Sequence, residues 1–182
     1  MKEGDEEFGA PFGGEFGDLF RQEGSDQGRP DDSLTSEIEN LQPRQLDEKE
    51  VKVMGVYEHQ EQGMPPAAFI LLRDNQGRQV LIWIGRFEAY AISVALEGAS
   101  HDRPMTHDLL KSVIERLGGR VERIIIDDLW QETYYAKITI IVGDHSVDVD
   151  ARPSDAVALA LRVQAPIYMA ESVLQSAVSE DL

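Results

Sequence analysis

The run RVERIIIDDLWQETYYAKITIIVGDHSVDVDARPSDAVALALRV, residues 120–163, places three β-type segments in succession before its first helical one. Residues 120–127 and 133–142 are rich in β-branched and aromatic side chains, and Gly143-Asp144-His145 supplies a turn into a third strand at 146–151. Pro153 or Ser154 then opens a helix whose body, 156–163, is apolar nearly all round and so is expected to be buried on several sides. A doubly wound parallel sheet needs a crossover after each strand, and three strands in a row leave no room for one. The run therefore predicts an antiparallel meander within an α+β fold.

On the N-terminal side the same signals recur. Residues 51–58, 67–74 and 78–84 read as strands, with Asn75-Gln76-Gly77 as hairpin-turn chemistry and a loop over 58–66 that contains Gly63, Pro65 and Pro66. After Gly85, apolar residues at 91, 92, 95, 96 and 99 give residues 88–99 one helical face, with Gly98 at its frayed end. Thr106 reads as the N-cap of a second helix. It carries Leu109, Leu110, Val113, Ile114 and Leu117 on a face expected to be buried, and closes at Gly118-Gly119. Beyond 163, residues 166–169 read as a short strand and 171–178 as a last helix. The order β-β-β-α-α-β-β-β-α-β-α predicts mixed, largely antiparallel sheets packed with about four helices in one domain over 51–178, with 179–182 as its end.

Residues 1–50 differ in kind. They hold 15 acidic and 5 basic side chains, a net of −10, against 19 and 12 in residues 51–182, a net of −7. With few aliphatics they cannot bury enough apolar surface to offset their ordering entropy, so a disordered tail is expected. Phe8, Phe12, Phe16 and Phe20 recur every fourth residue, but Gly9, Pro11, Gly13, Gly14 and Gly17 oppose a helix there. The alternative is a segment that folds on a protein partner, and residues 33–41 could form a short helix behind Ser33 or Thr35.

The chain has no cysteine, which excludes disulfides, thiolate nucleophiles and zinc-thiolate sites and suits a reducing cytoplasm. Its first residues lack the basic start and apolar run of a signal peptide. No stretch reaches the roughly 20 apolar residues of a membrane span. The net charge of −17 repels phosphate backbones at long range, so nucleic-acid binding would need a local basic patch or bound cations.

Two segments share a chemical design. Arg103-Pro104-Met105-Thr106-His107-Asp108 and Arg152-Pro153-Ser154-Asp155 each set an arginine before a hydroxyl residue and an acid in the first helical turn. Free N–H groups at a helix start together with a guanidinium suit a phosphate or carboxylate. The plainer alternative is ordinary capping by Thr106 and Ser154, with the acids opposing the helix dipole. His107 has the chemistry of a general base or metal ligand. Asp148 and Asp150 share one face of a strand, with Val147 and Val149 on the other, expected core-facing side. Glu88, His107, Asp108, Asp150 and Asp155 could supply ligands to Mg²⁺ or Mn²⁺. There is no His-Glu-x-x-His, Walker loop, Gly-x-Gly-x-x-Gly or Gly-x-Ser-x-Gly, and no organic cofactor is expected.

The segment from Asp150-Ala151-Arg152-Pro153-Ser154-Asp155 to Arg162 resembles the signature of the bifunctional nuclease domain family. Further matches are Glu88-Ala89 with Ala91-Ile92, Ala95-Leu96-Glu97-Gly98, Arg103-Pro104 with Thr106-His107-Asp108-Leu109-Leu110, and Ala165-Pro166-Ile167-Tyr168. The resemblance implies an α/β domain, deoxyribonuclease and ribonuclease activity of the kind attributed to plant members, and assembly into homo-oligomers. It does not transfer catalytic residues.

Two functions are thus expected in competition. One is a metal-dependent nuclease acting on RNA or DNA, with His107, Asp108 and Asp155 in catalysis, Arg103, Arg152 and Ser154 on the substrate, and Glu88, Asp108, Asp150 and Asp155 on the metal. The other is a non-catalytic regulatory or ligand-binding module that uses the same helix starts. If the first holds, the four carboxylates should converge near the two arginines.

Overall fold

In the computed structural model, which describes residues 47–60, 66–99 and 101–180, the alternating segments become seven strands and four helices among the described residues. In chain order they are β1 (Glu48–His59), β2 (Ala67–Asp74), β3 (Gln79–Ile84), α1 (Arg86–Leu96), α2 (Thr106–Arg116), β4 (Gly119–Trp130), β5 (Thr133–Val142), β6 (His145–Ala151), α3 (Pro153–Val163), β7 (Ile167–Ala170) and α4 (Glu171–Glu180). They belong to one compact unit, Gln45–Leu182. The α+β class and the helix number are as expected. Of the tail expected over 1–50, residues 1–46 with their phenylalanines and the 33–41 helix lie outside the described residues, as does the centre of the 58–66 loop, whereas 48–50 belong to β1.

The strands form one mixed sheet in the order β3-β2-β1-β7-β4-β5-β6. The two three-stranded units, β1–β3 and β4–β6, are antiparallel, and the short β7 joins them, antiparallel to β1 and parallel to β4. β1 starts at Glu48 rather than at 51 because its polar first residues pair with β7, from Glu48↔Ala170 to Val51↔Ile167. That register is set by a strand 120 positions away in the chain, which no local pattern announces.

The core runs across both units. Ile70, Leu72, Val80 and Ile82 meet Ile124, Ile126, Val157, Leu159, Met169 and Leu174, all buried. α3 is enclosed as expected: residues 156–160 are fully buried, and their three alanines let α1, α2, β4 and β5 all pack against it. Its C-cap, Gln164, turns into the left-handed region at φ 58° and directs the chain into β7.

Three expectations are corrected. α2 is capped by Met105, with Thr106 as its first helical residue, and α3 by Arg152 with Pro153 at its first position; the Ser154 and Thr106 hydroxyls lie inside their helices and are not the caps. Of the apolar face of α2, Ile114 alone packs against the core: Leu109, Leu110, Val113 and Leu117 are exposed, and His107 is the buried residue of this helix. Val147 and Val149 stand on the core side of the sheet as expected, opposite Ile140 and Ile138, but they are not buried there. They are 48% and 41% exposed because β6 is an edge strand. In both cases the amphipathic pattern is real, but the covering layer it implies is not supplied by the described residues.

Candidate active site

The first turns of α1, α2 and α3 bring four charged or titratable side chains together. Arg152, the residue that caps α3, donates from Nε to Asp155 Oδ2 at 2.8 Å and reaches Glu88 Oε1 from Nη2 at 3.1 Å. Asp155 holds His107 through its other oxygen, with Nε2 3.3 Å from Oδ1. The order in space is Glu88, Arg152, Asp155, His107, drawn from three helices.

Local sequence explains each placement. Pro153 fixes the first position of α3 and leaves Arg152 extended before it, so the guanidinium folds back over the acid three residues later. Glu88 sits in the first turn of α1 above Gly85, where a Cβ would collide with its carboxylate. Glycine at 85 is what lets Glu88 lie over its own helix start.

Burial pushes the Asp155 carboxyl up, but the hydrogen bond and charge of Arg152, and then His107, outweigh it and hold it below the usual range. Asp155 raises Arg152 in return, with Glu88 adding to the effect. The Arg152–Asp155 pair is therefore ionised, and Arg152 is the most open member of the cluster: its side chain is 66% exposed, against 21% for Glu88 and 34% for Asp155.

Two clefts flank this cluster, and Glu88 and Arg152 line both. One, of about 340 Å³, is bounded by Trp83, Thr133, Tyr134 and Ser154; the other, of about 280 Å³, by Phe87, Tyr90, Met105, His107 and Asp155. Ser154, expected to touch substrate, is buried at the first cleft's wall. A larger cleft, of about 510 Å³, lies elsewhere, between Lys52, Met54 and the Asp74–Gly77 turn, and contains none of the expected site residues.

The remaining expected residues are elsewhere. Asp108 accepts from the Met105 N–H at 2.9 Å and from Arg162 Nε at 2.6 Å. Burial raises its carboxyl, and those two bonds bring it below its ordinary value. Arg162 also donates to the carbonyls of Ala91 and Ala158, so the Asp108 pair ties α2 to α1 and α3 and sits behind the cluster. Asp150 lies opposite Lys137 in the β5–β6 pairing, at a separate cleft with Asp127, Asp128, Trp130 and Tyr135. Arg103 is exposed and makes no ion pair among the described residues. The four carboxylates are thus divided among three places. No group of three or more His, Asp or Glu side chains among the described residues could hold a metal ion.

Sequence reading missed Arg162, Trp83, Phe87 and Tyr90. A lone arginine in an otherwise apolar helix was the available signal for the first, since such a charge is retained only when paired. The aromatics gave none, because exposure is set by tertiary packing.

The sequence that builds this fold and cluster has known relatives. The family model described as the bifunctional nuclease domain matches residues 70–181. An uncharacterized protein of Mycobacterium tuberculosis strain H37Rv is 43% identical over 129 residues, which is 70% of this chain and 75% of that protein. Bifunctional nuclease 2 of Oryza sativa subsp. japonica is 32% identical over 116 residues, 61% of this chain and 36% of that protein. Bifunctional nuclease 2 of Arabidopsis thaliana is 28% identical over 109 residues, 58% of this chain and 33% of that protein. The chain belongs to the bifunctional nuclease domain family. Among its described residues no helix is long and apolar enough to cross a membrane.

Proposed function

We propose that this chain is a phosphodiesterase acting on RNA or DNA, with its reacting centre at the Arg152–Asp155–His107 cluster. The observation that carries this reading is that one exposed guanidinium, one ionised carboxylate and one buried imidazole are joined in series at the border of two clefts. Family membership and the plant relatives named as nucleases support it.

The chemistry follows from the order of the groups. Arg152 exchanges its carboxylate partners for a phosphate and offsets the charge that grows on the phosphoryl oxygens. With Nε2–H directed at Asp155, His107 keeps Nδ1 free to accept a proton. The water that loses it forms the new bond to phosphorus, the bond to the ester oxygen breaks, and that oxygen is protonated by solvent. Asp155 orients the ring and stabilises its charged form.

The donor set does not fit a resident Mg²⁺ or Mn²⁺ as arranged. Glu88 and Asp155 stand on either side of Arg152, which already neutralises them, Asp108 is paired with Arg162, and Asp150 lies at a separate cleft. No step is routed through a metal.

The test is hydrolysis of labelled single-stranded RNA and DNA by purified protein, in EDTA and with added Mg²⁺ or Mn²⁺, beside Arg152→Ala and Asp155→Asn. Loss of activity in both variants is expected. Activity that survives both overturns the assignment. The occupation of Arg152 by two acids, on a chain of net charge −17, favours a second reading: a non-catalytic module that binds a small anion. Phosphate binding that is lost in Arg152→Ala, without hydrolysis by the wild type, would select it.

Homo-oligomer formation belongs to the same proposal, supported by the exposed aliphatic face of α2. So does a cytoplasmic location, consistent with the absence of cysteine.

A further inference from the structure

The register of β1–β3 lines up an aromatic row on the sheet face opposite the buried Ile70, Leu72, Val80 and Ile82. Tyr57 pairs with Phe69, and Phe69 with Trp83. The rings touch in sequence, Tyr57 stacked on Phe69 at 5.5 Å and 24°, and Phe69 edge-on to Trp83 at 5.2 Å and 66°. Alternation explains the face, but not why large rings should stand on it uncovered: Tyr57 is 46% and Trp83 58% exposed.

Two further features define what the row suits. Two residues along each strand the partners are Gly55, Leu71 and Leu81, and the row after that holds Lys52, Arg73 and Gln79. Lys52 and Arg73 are exposed cations without an ion pair among the described residues. They lie about 13 Å from the aromatic row by strand rise. At the other end, Trp83 lines the cleft that contains Glu88 and Arg152. Rings and cations thus share one sheet face, and Trp83 at the end of that face borders the cleft of the candidate site.

We propose that this face binds the unpaired bases of single-stranded nucleic acid, with bases stacked against Trp83, Phe69 and Tyr57, phosphates met by Lys52 and Arg73, and the strand led past Trp83 to Arg152. Aromatic platforms flanked by cations bind single strands because every base has a π-face, whereas a duplex hides its bases. The substrate class rests on the nuclease reading of the Arg152 cleft, but binding at the row does not require turnover. A second copy could also meet the rings and cations, and the self-association arm of the test separates it from a nucleic-acid strand.

The test uses the full chain with Trp130→Phe, which leaves Trp83 as its one tryptophan, since the sequence holds two. Oligonucleotides of about 12 nucleotides, dT, rU and a duplex of equal length, are titrated in EDTA while tryptophan emission is followed. Quenching by dT and rU alike, and not by the duplex, is expected. In the wild-type background, Trp83→Leu should weaken single-strand binding about tenfold, read by the anisotropy of a labelled oligonucleotide. Lys52→Gln with Arg73→Gln should lower the slope of log affinity against log salt by about two, a readout that stands even if Trp83→Leu fails to fold. Hydrolysis without quenching, equal quenching by the duplex, or self-association lost in Trp83→Leu with no effect of oligonucleotide would each overturn the proposal. Quenching without hydrolysis by the wild type would leave it standing and sink the nuclease reading instead.

Discussion

His107 and Asp155 lie 48 positions apart and meet with Nε2 3.3 Å from Oδ1, each from the first turn of its own helix. The contact joins a buried imidazole to a carboxylate that Arg152 keeps ionised. It is the point where the two Arg-Pro segments of the sequence diverge in role. The second supplies both its arginine and its acid to the cluster, while the first supplies only its histidine.

Asp155→Asn should therefore lower kcat for oligonucleotide cleavage by about 10²–10³-fold, the usual range for loss of a proton-transfer group or its orienting partner. Little change in melting temperature is expected, because the Arg152 side of the network is exposed. Circular dichroism melts beside the rate assay check this. A matching loss of fold would instead make Asp155 a structural residue.

Gly85→Ala tests Glu88 without touching it. The glycine has an ordinary φ of −71°, so alanine is tolerated by the backbone, but its Cβ would displace the Glu88 carboxylate. Stability within about 0.5 kcal/mol of wild type is expected, since the displaced group is the far end of a flexible side chain. The affinity of Arg152 for inorganic phosphate should rise as its competitor is moved, and isothermal titration reads it.

Arg162→Met should destabilise the protein by about 2–3 kcal/mol, because it leaves the Ala91 and Ala158 carbonyls and Asp108 without their donor behind the cluster. Denaturant midpoints measure the loss. Under conditions where the variant is folded, the KM for oligonucleotide should stay near wild type, unlike that of Arg152→Ala.

Arg78 clamps Glu171 at 2.7 and 2.9 Å and also holds the buried Asp74. The Arg78 hydrogen bond brings Glu171 down to about 2. Burial raises Asp74, but Arg78 more than reverses it. Depressed carboxylates stabilise the fold above their unfolded pKa and lose that contribution as pH falls through the folded value. Melting temperature should thus drop as pH is lowered from about 4.5 toward 2. In Arg78→Gln the drop over the same window should be shallower, starting from a lower value at neutral pH.

Leu117, the C-cap of α2 and 76% exposed, probes assembly. Leu117→Glu should leave the monomer's stability within about 0.5 kcal/mol and shift any oligomer toward monomer in light scattering. An unchanged mass, oligomeric in both proteins, would place the interface elsewhere.

Much of the fold was legible because its signals are local. Gly143-Asp144-His145 turns β5 into β6, Asn75-Gln76-Gly77 turns β2 into β3, and the alternation in 67–74 marks β2 with its observed bounds. The cluster was legible in part. Arg152, Ser154 and Asp155 fall together because they share one strand-to-helix junction. Glu88 and His107 were suspected from residue type, and it took α3 packing against α1 and α2 to bring them there. Asp108 has the same composition and helix position as Asp155, yet pairs with Arg162, because the nearest cation in space, not in sequence, decides a carboxylate's role.

The sequence by itself determined the element order and with it the α+β class, since strand and helix periods and turn chemistry act over a few residues. It also carried the family, through residues 150–162. Only the tertiary structure decided that β7 lies between β1 and β4, that α2 leaves its leucines outside, and that Glu88, Arg152, Asp155 and His107 form one cluster without Asp108, Asp150 or Arg103. These depend on contacts between residues tens of positions apart, whose free energies arise from burial and charge pairing that no window of sequence contains.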